Sequence, residues 1–160
     1  MDNIEVSKIY ENINKSLLNI VPHLPTTHYI IIERQLPENY QATRVAQHLL
    51  SYFIFHLQDK YLLPSICEID PKAKGKLLGA PKGCNKNELK KWSVVKALEL
   101  SEMRKDTLTI NLLNKMKKKD DIADVLCQIE AFCKMVGLPL TKNAVQTEIK
   151  TDSMILNIIK

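Results

Sequence analysis

The hydrophobic pattern at the start of the chain has the period of a helix. Between residues 5 and 21, apolar side chains recur at Ile9, Ile13 and Leu17 with polar residues between them, a spacing that predicts an amphipathic helix. The pattern changes at residues 29–32, where four β-branched or aromatic residues follow one another. Such a run predicts a short strand that is covered on both faces.

A second helix and a second strand follow in the same order. Residues 40–61 are apolar on more than one face, which predicts a long and largely buried helix. Residues 65–69, with the sequence SICEI, predict a short strand. Residues 71–86 hold three of the four glycines, and their composition predicts a loop.

Helical patterns fill most of the remaining sequence. Helices are predicted over residues 87–104 and 106–116, and a further helix begins in the run KKKDD and ends before the stretch GLP. This order of elements indicates an α/β fold with a small, mainly parallel sheet. The length favours one domain over residues 1–160, with its core elements in residues 5–137 and a C-terminal extension in residues 141–160.

Charge and composition narrow the classes of partner. The net charge of +5 favours an anionic partner, either nucleic acid or a membrane surface. No apolar run approaches the ~20 residues that a membrane-spanning helix needs. The N-terminal sequence has the features of neither a secretory signal nor a transit peptide, so we expect an intracellular protein. The cysteines form no CxxC pair and predict neither a zinc site nor disulfides; they are Cys67, Cys84, Cys127 and Cys133.

Acidic residues are concentrated in two places that a sheet-based site would use. Glu33 directly follows the first predicted strand, and active sites of open α/β sheets lie at the carboxyl ends of strands. Asp120, Asp121 and Asp124 open the last major helix, and Asp121 and Asp124 share one face of it. Taken by itself, Glu33 can be explained as the polar residue with which a strand leaves the core. Acids in the first turn of a helix can be explained by capping. Capping does not explain Asp124. Together these oxygen donors suit Mg²⁺ or Mn²⁺.

A lysine-rich stretch lies between the two acidic places. Residues 72–96 contain eight lysines and one acid, Glu88. Lysines in a loop and at a helix start can bind phosphates without reading sequence, and the alternative is a solvated surface. Trp92 can stack on a base, but a lone tryptophan at this position favours a core role.

Two strings in the chain resemble motifs of a known family. IIIERQ, residues 30–35, and KKDDIAD, residues 118–124, resemble those of the Holliday junction resolvases of poxviruses and other large DNA viruses. The yeast mitochondrial resolvases are similar, and bacterial RuvC is more distant. The resemblance covers about residues 29–137. It implies an RNase H-like fold and a homodimeric endonuclease that cuts four-way DNA junctions with Mg²⁺ or Mn²⁺.

The resemblance also implies roles for individual residues. Glu33 matches the metal-binding glutamate at the end of the central strand, and Asp121 and Asp124 match the paired metal ligands of the last helix. Asp120 is the neighbouring acid. The implied dimer interface lies on the helix of residues 40–61. The residues expected to contact DNA are Arg34, Gln35, Arg44, Lys82, Lys86, Lys90, Lys91, Lys118 and Lys119.

One departure from the family leaves two expectations open. Family members begin with a strand that carries a further metal-binding aspartate, whereas Asp2 has neither a strand pattern nor a glycine beside it. The chain is therefore expected to be an N-terminally truncated resolvase, or a resolvase-fold protein that binds nucleic acid without cutting it, as a structural or transcription accessory factor. A basic α/β domain without a nucleic-acid role is the third alternative. The Lys-, Asn- and Ile-rich composition suits an AT-rich genome, which fits a large DNA virus. The expected compartment is then the host cytoplasm or nucleus, with the mitochondrion as the alternative.

Overall fold

The computed structural model describes residues 6–57 and 64–138. This part of the chain is mixed α/β, mostly helical, with a two-stranded parallel sheet. The elements in chain order are α1 (Val6–Leu17), a 3-10 helix (Val21–Thr26), β1 (Tyr29–Glu33), α2 (Tyr40–Leu57), β2 (Ser65–Ile69), α3 (Ala73–Leu78), α4 (Lys86–Arg104), α5 (Thr107–Lys115) and α6 (Lys119–Met135). The predicted α/β order is confirmed.

Both predicted strands are present, and the prediction of a loop over residues 71–86 was wrong in part. Helix α3 occupies residues 73–78 of that stretch. It ends at Gly79, which has a φ of 80° and donates its N–H to the carbonyl of Gly75. Glycine reaches this left-handed conformation without the steric cost that a Cβ brings. One of the three glycines that indicated a loop is thus a helix cap, and another lies inside the helix.

The contacts within the chain divide it into two compact units. The first unit contains the described residues up to Glu68, and the second begins at Ile69. The prediction of one domain stays a prediction. Residues 58–61 of the second predicted helix, the extension at 141–160, and Asp2 lie outside the described residues.

In the first unit, α1, the 3-10 helix, β1 and α2 share an apolar core. Ile30 and Ile32 of β1 pack with Leu49 and Phe53 of α2, which fixes the strand against the helix that follows it. Burial of each of these side chains contributes about 1.5–3 kcal/mol. Glu33 is the last residue of β1, so this packing positions the first predicted site residue.

In the second unit, α6 packs against α3, α4 and α5. Small residues line the buried faces of α4 and α6, including Ala97, Ala123 and Ala131, each 0% exposed. Small side chains let two helix backbones approach closely. Helix α4 begins with a capping box, in which the Asn85 side chain accepts from the Glu88 backbone N–H and the Glu88 carboxylate accepts from the Asn85 N–H.

Candidate functional site

The first turns of α6 carry the acid cluster, which we define as Asp120, Asp121 and Asp124. The N-cap residue is Lys118, whose side chain makes no capping hydrogen bond. Asp120 and Asp121 lie in the first turn, where their charges complement the helix dipole. Asp124 lies one turn further on and is buried. The helix dipole therefore accounts for the first two acids and leaves Asp124 without a local explanation.

The carboxylate of Asp124 is paired with a lysine from another helix. The Lys74 Nζ lies 3.0 Å from Asp124 Oδ1, and both side chains are 7% exposed. Lys74 lies in the first turn of α3, which packs on α6. A buried carboxylate without a counter-charge would be strongly destabilising. The pair therefore holds α3 on α6 at the position of the predicted metal ligand.

Asp120 has a lysine partner as well. The Lys90 Nζ of α4 lies 2.5 Å from Asp120 Oδ2, with both side chains partly exposed. The hydrogen bond to Asp120, its charge and the charge of Asp121 raise the pKa of Lys90 above its ordinary value. Lys90 was predicted to contact DNA, and in this structure it binds the acid cluster. Two carboxylates of the acid cluster, those of Asp120 and Asp124, are thus each paired with a lysine ammonium.

A buried glutamine continues the polar face of α6. Gln128 lies one turn after Asp124, is 0% exposed, and donates from Nε2 to the carbonyl of Asp70 at 3.2 Å. Asp70 directly follows β2, and its carboxylate accepts from the Lys72 backbone N–H. Asp70 before α3 and Lys74 within α3 are therefore bound to two successive turns of α6, through Gln128 and Asp124.

The sequence analysis did not single out Lys74, Asp70 or Gln128. A signal was available for Asp70, because it follows the second strand as Glu33 ends the first, and carboxyl ends of parallel strands favour functional residues. Nothing in the local pattern indicated that Gln128 would be buried beside Asp70 and Lys74.

Two further polar contacts of α6 are structural. Arg104 of α4 binds the carboxylate of Glu130, whose side chain is 2% exposed. The Cys127 thiol donates to the Ser93 carbonyl at 3.5 Å, and burial raises its pKa to about 11. A thiol held neutral in the core is unreactive at neutral pH.

Glu33 belongs to the first unit and the acid cluster to the second. Glu33 is half-buried at the end of β1, and its carbonyl accepts a hydrogen bond of 3.0 Å from the side chain of Gln35. Arg34 is exposed beside it. Gln35, predicted to contact DNA, thus stabilises the chain as it leaves the strand. The convergence of Glu33 with Asp121 and Asp124 on one site stays a prediction.

Arg44 lies in a groove between α1 and α2 of the first unit. Its guanidinium lies 5.8 Å from the ring centre of Tyr10 and 5.5 Å from that of Tyr40, distances typical of cation–π contacts. On the same two helices, His48 Nε2 and Asn14 Oδ1 form a hydrogen bond of 2.7 Å. Two aromatic rings thus contact the guanidinium of Arg44, which is an exposed residue.

The predicted DNA-binding lysines differ in exposure. Lys90 and Lys119 are half-buried. The exposed members are Lys82, Lys86, Lys91 and Lys118. Trp92 packs against the apolar core of the second unit, so the core role favoured for it is confirmed.

The helix predicted to form a dimer interface has one buried and one exposed apolar face. Leu49, Phe53 and Leu57 of α2 belong to the core of the first unit. Ile54 and Phe55 are 54% and 65% exposed. These two side chains are available to a partner, and the dimer stays a prediction. None of the helices in residues 6–57 and 64–138 is long and apolar enough to cross a membrane.

The donor chemistry of the acid cluster suits a hard divalent cation, because carboxylate oxygens are the ligands that Mg²⁺ and Mn²⁺ prefer. Across the described part of the chain, however, no group of three or more His, Cys, Asp or Glu side chains is arranged to hold a metal ion. In the prediction, Glu33 joins Asp121 and Asp124 as the third carboxylate ligand.

Comparison with known proteins finds two viral relatives. The chain is 36% identical over 108 residues to the uncharacterized protein 97L of Invertebrate iridescent virus 3, which covers 66% of this chain and 47% of that protein. It is 31% identical over 122 residues to the uncharacterized protein 170L of Invertebrate iridescent virus 6, covering 66% and 50%. The chain spans about half the length of the curated relatives it matches. No family model and no solved structure gives a significant match.

Proposed function

We propose that the chain has an RNase H-like fold and acts as a Holliday junction resolvase, a metal-dependent endonuclease for four-way DNA junctions. The observation that carries the proposal is the buried Asp124 carboxylate on the acid-bearing start of α6. Buried ionisable groups are concentrated at functional sites and also occur in structural ion pairs such as that of Asp124 with Lys74. The two motifs that resemble the viral resolvases, and the viral source of both relatives, support it. The proposed setting is the infected cell.

Each site residue has a distinct role in the proposal. Glu33, Asp121 and Asp124 would hold Mg²⁺ or Mn²⁺. When bound, the ions supply an activated water and stabilise the leaving oxygen of the phosphodiester. Lys82, Lys86, Lys91 and Lys118 are exposed and would bind phosphates of the junction arms, which gives affinity without sequence preference.

A second candidate is a resolvase-fold protein that binds junctions without cutting them. The observation in its favour is the pairing of Asp120 with Lys90 and of Asp124 with Lys74. These ammonium groups already compensate most of the charge of the acid cluster. Such a protein would keep the acids for stability and the exposed lysines for binding.

The two candidates are separated by a cleavage and binding assay. A labelled four-way junction and a linear duplex of matched sequence are incubated with the protein in Mg²⁺, Mn²⁺ or EDTA. The proposed resolvase cuts the junction in the metal ions, spares the duplex and binds the junction in EDTA. Junction binding without cutting favours the second candidate. Equal affinity for the junction and the duplex that does not change with salt concentration would reject a phosphate-binding role altogether.

The site assignment is tested with matched carboxamide variants. Glu33→Gln and Asp121→Asn should abolish cutting and leave junction binding unchanged. Glu38→Gln and Glu102→Gln are the matched controls, because each removes an exposed carboxylate from the same unit and lies outside the proposed site. Cleavage by Asp121→Asn at the wild-type rate would remove α6 from the site.

A further inference from the structure

An open groove between α1 and α2 of the first unit presents polar and aromatic side chains. Most of its lining comes from one face of α2, because residues three and four apart on a helix are neighbours. The side chains that line it are Tyr10, Thr43, Arg44, Gln47, His48 and Ser51. None of these six residues is acidic, and only the arginine carries a permanent charge. The groove therefore differs from the apolar face that α2 turns to the core, and its chemistry favours an anionic ligand.

Contacts between side chains connect the two walls of the groove. His48 of α2 and Asn14 of α1 form a hydrogen bond of 2.7 Å. The rings of Tyr10 and His48 lie with their centres 4.6 Å apart. Tyr10 and Asn14 are four residues apart and share one face of α1. The walls of the groove are therefore held together by the chain itself, without a ligand.

Arg44 is restrained by contacts that do not neutralise it. Its guanidinium lies 5.8 Å and 5.5 Å from the ring centres of Tyr10 and Tyr40. Within residues 6–57 and 64–138, no carboxylate forms an ion pair with this guanidinium. A side chain that is already restrained loses less conformational freedom when it binds a ligand. The planar guanidinium, with its five N–H donors, is suited to a phosphate.

The Tyr40 ring adds a second kind of contact. Tyr40 is 68% exposed, so most of its surface is open to solvent beside the charge of Arg44. Exposed aromatic rings next to basic side chains bind single-stranded nucleic acids, because bases stack on the rings while the cations contact the phosphates. An acidic peptide would use the guanidinium but would have no planar group for the ring. The combination therefore favours a nucleotide over a carboxylate.

We propose that this groove binds single-stranded nucleic acid, with an unpaired base stacked on Tyr40 and the adjoining phosphate on the guanidinium of Arg44. Gln47 and Ser51 supply donors and acceptors for the base or the sugar. The site requires neither a metal ion nor cutting, so it goes beyond the proposed function. Arg44 was predicted to contact DNA; the groove adds the two tyrosines and specifies an unpaired strand.

The test is fluorescence anisotropy of a labelled oligothymidylate of about 12 nucleotides, within the usual range of single-strand sites, in EDTA over a salt series. Tyr40→Ala should weaken binding about fivefold or more at every salt concentration, the scale for one stacked base. Tyr40→Phe, which keeps the ring, should bind as wild type does. Tyr40→Leu, which keeps apolar bulk without the ring, should repeat the loss if Tyr40→Ala alters the circular dichroism spectrum.

The phosphate contact has its own measurement in the same series. Arg44→Gln should reduce the slope of log affinity against log salt by about 0.7, the value for one phosphate contact of a single strand. Lys8→Gln is the matched control, because it removes an exposed cation from α1 outside the groove, and it should leave the slope unchanged. Equal slopes for Arg44→Gln and Lys8→Gln would overturn the phosphate contact.

Two other results would overturn the inference. Wild-type affinity of both Tyr40→Ala and Tyr40→Leu for oligothymidylate removes the stacked base, whether the groove is empty or covered by a second copy of the chain. Tighter binding of labelled polyglutamate than of oligothymidylate, lost in Arg44→Gln, assigns the groove to an acidic protein instead. Because this assay contains no metal ion, failure of the chain to cut junctions rejects the proposed endonuclease and leaves these results unaffected.

Discussion

Asp121 and Asp124 lie one helical turn apart on α6, yet the first is exposed and the second is 5% exposed and paired with Lys74. The family resemblance gives both the same role. The structure gives them different consequences for stability, because only Asp124 would leave a buried charge behind when it is removed. Functional experiments on the two residues must therefore be interpreted differently.

The first prediction concerns this difference. Asp124→Asn should lower the free energy of unfolding by about 3 kcal/mol, because the buried Lys74 ammonium then loses the charge of the carboxylate that it contacts at 3.0 Å. Asp121→Asn should change it by less than about 0.5 kcal/mol, as is usual at an exposed position. Urea denaturation of both variants measures this. Equal stability of the two variants would contradict the burial of the pair.

The second prediction concerns Arg104 and Glu130. Arg104→Met should cost about 3 kcal/mol of stability, because the Glu130 carboxylate is 2% exposed and would lose its partner. The double variant Arg104→Met, Glu130→Leu should recover most of that loss, since no charge is then buried. A double-mutant cycle from chemical denaturation gives the coupling energy. A double variant less stable than Arg104→Met would show that the pair does not act as proposed.

The third prediction concerns the pH dependence due to Cys127. Burial raises the pKa of this thiol from 9.0 to about 11 in the folded chain. A raised pKa means that its contribution to stability is fully present below pH 9 and is lost as the pH rises toward 11. The stability difference between wild type and Cys127→Ala should therefore shrink by on the order of 2 kcal/mol over that interval. A difference that is constant from pH 8 to 11, in urea melts at each pH, would contradict the burial of the thiol.

The fourth prediction concerns the lysines at the start of α4. Lys86 and Lys91 are exposed, so the double variant Lys86→Ala, Lys91→Ala should reduce the slope of log affinity against log salt by about 2, roughly 0.9 for each lost phosphate contact. Lys8→Ala, Lys15→Ala, which removes two exposed lysines of α1, is the matched control and should leave the slope unchanged. Fluorescence anisotropy with a labelled junction measures both. Equal slopes for the two double variants would remove α4 from the DNA-binding surface.

Much of the fold could be predicted from the sequence, because its signals are local. The run at residues 29–32 and the segment 65–69 predicted both strands. The first run is the stronger signal, since a continuous β-branched or aromatic stretch that is covered on two faces leaves few alternatives. The helix over residues 73–78 was missed because glycine content indicated a loop. Gly79 ends the helix rather than preventing it, and only its backbone conformation reveals this.

The candidate site could be predicted only in part. The spacing of Asp121 and Asp124 is a local feature and was visible in the sequence. Their lysine partners were not, because Lys74 and Lys90 come from other helices and are brought to α6 by tertiary packing. The eight lysines between residues 72 and 96 look alike in the sequence. Lys74 differs from the exposed lysines because it is buried. Lys90 differs from them because it forms an ion pair with Asp120.

Whether Glu33, Asp121 and Asp124 bind the same cations is tested by anomalous diffraction from crystals of the chain soaked in Mn²⁺. The expected result is a Mn²⁺ peak with carboxylate oxygens of Glu33 and of Asp121 or Asp124 at about 2.1 Å, the distance typical of small hard divalent cations. Carboxylates of Glu33 and the two aspartates held more than ~10 Å apart, beyond the reach of a pair of ions about 4 Å apart, or a Mn²⁺ peak that involves only one of these elements, would contradict it.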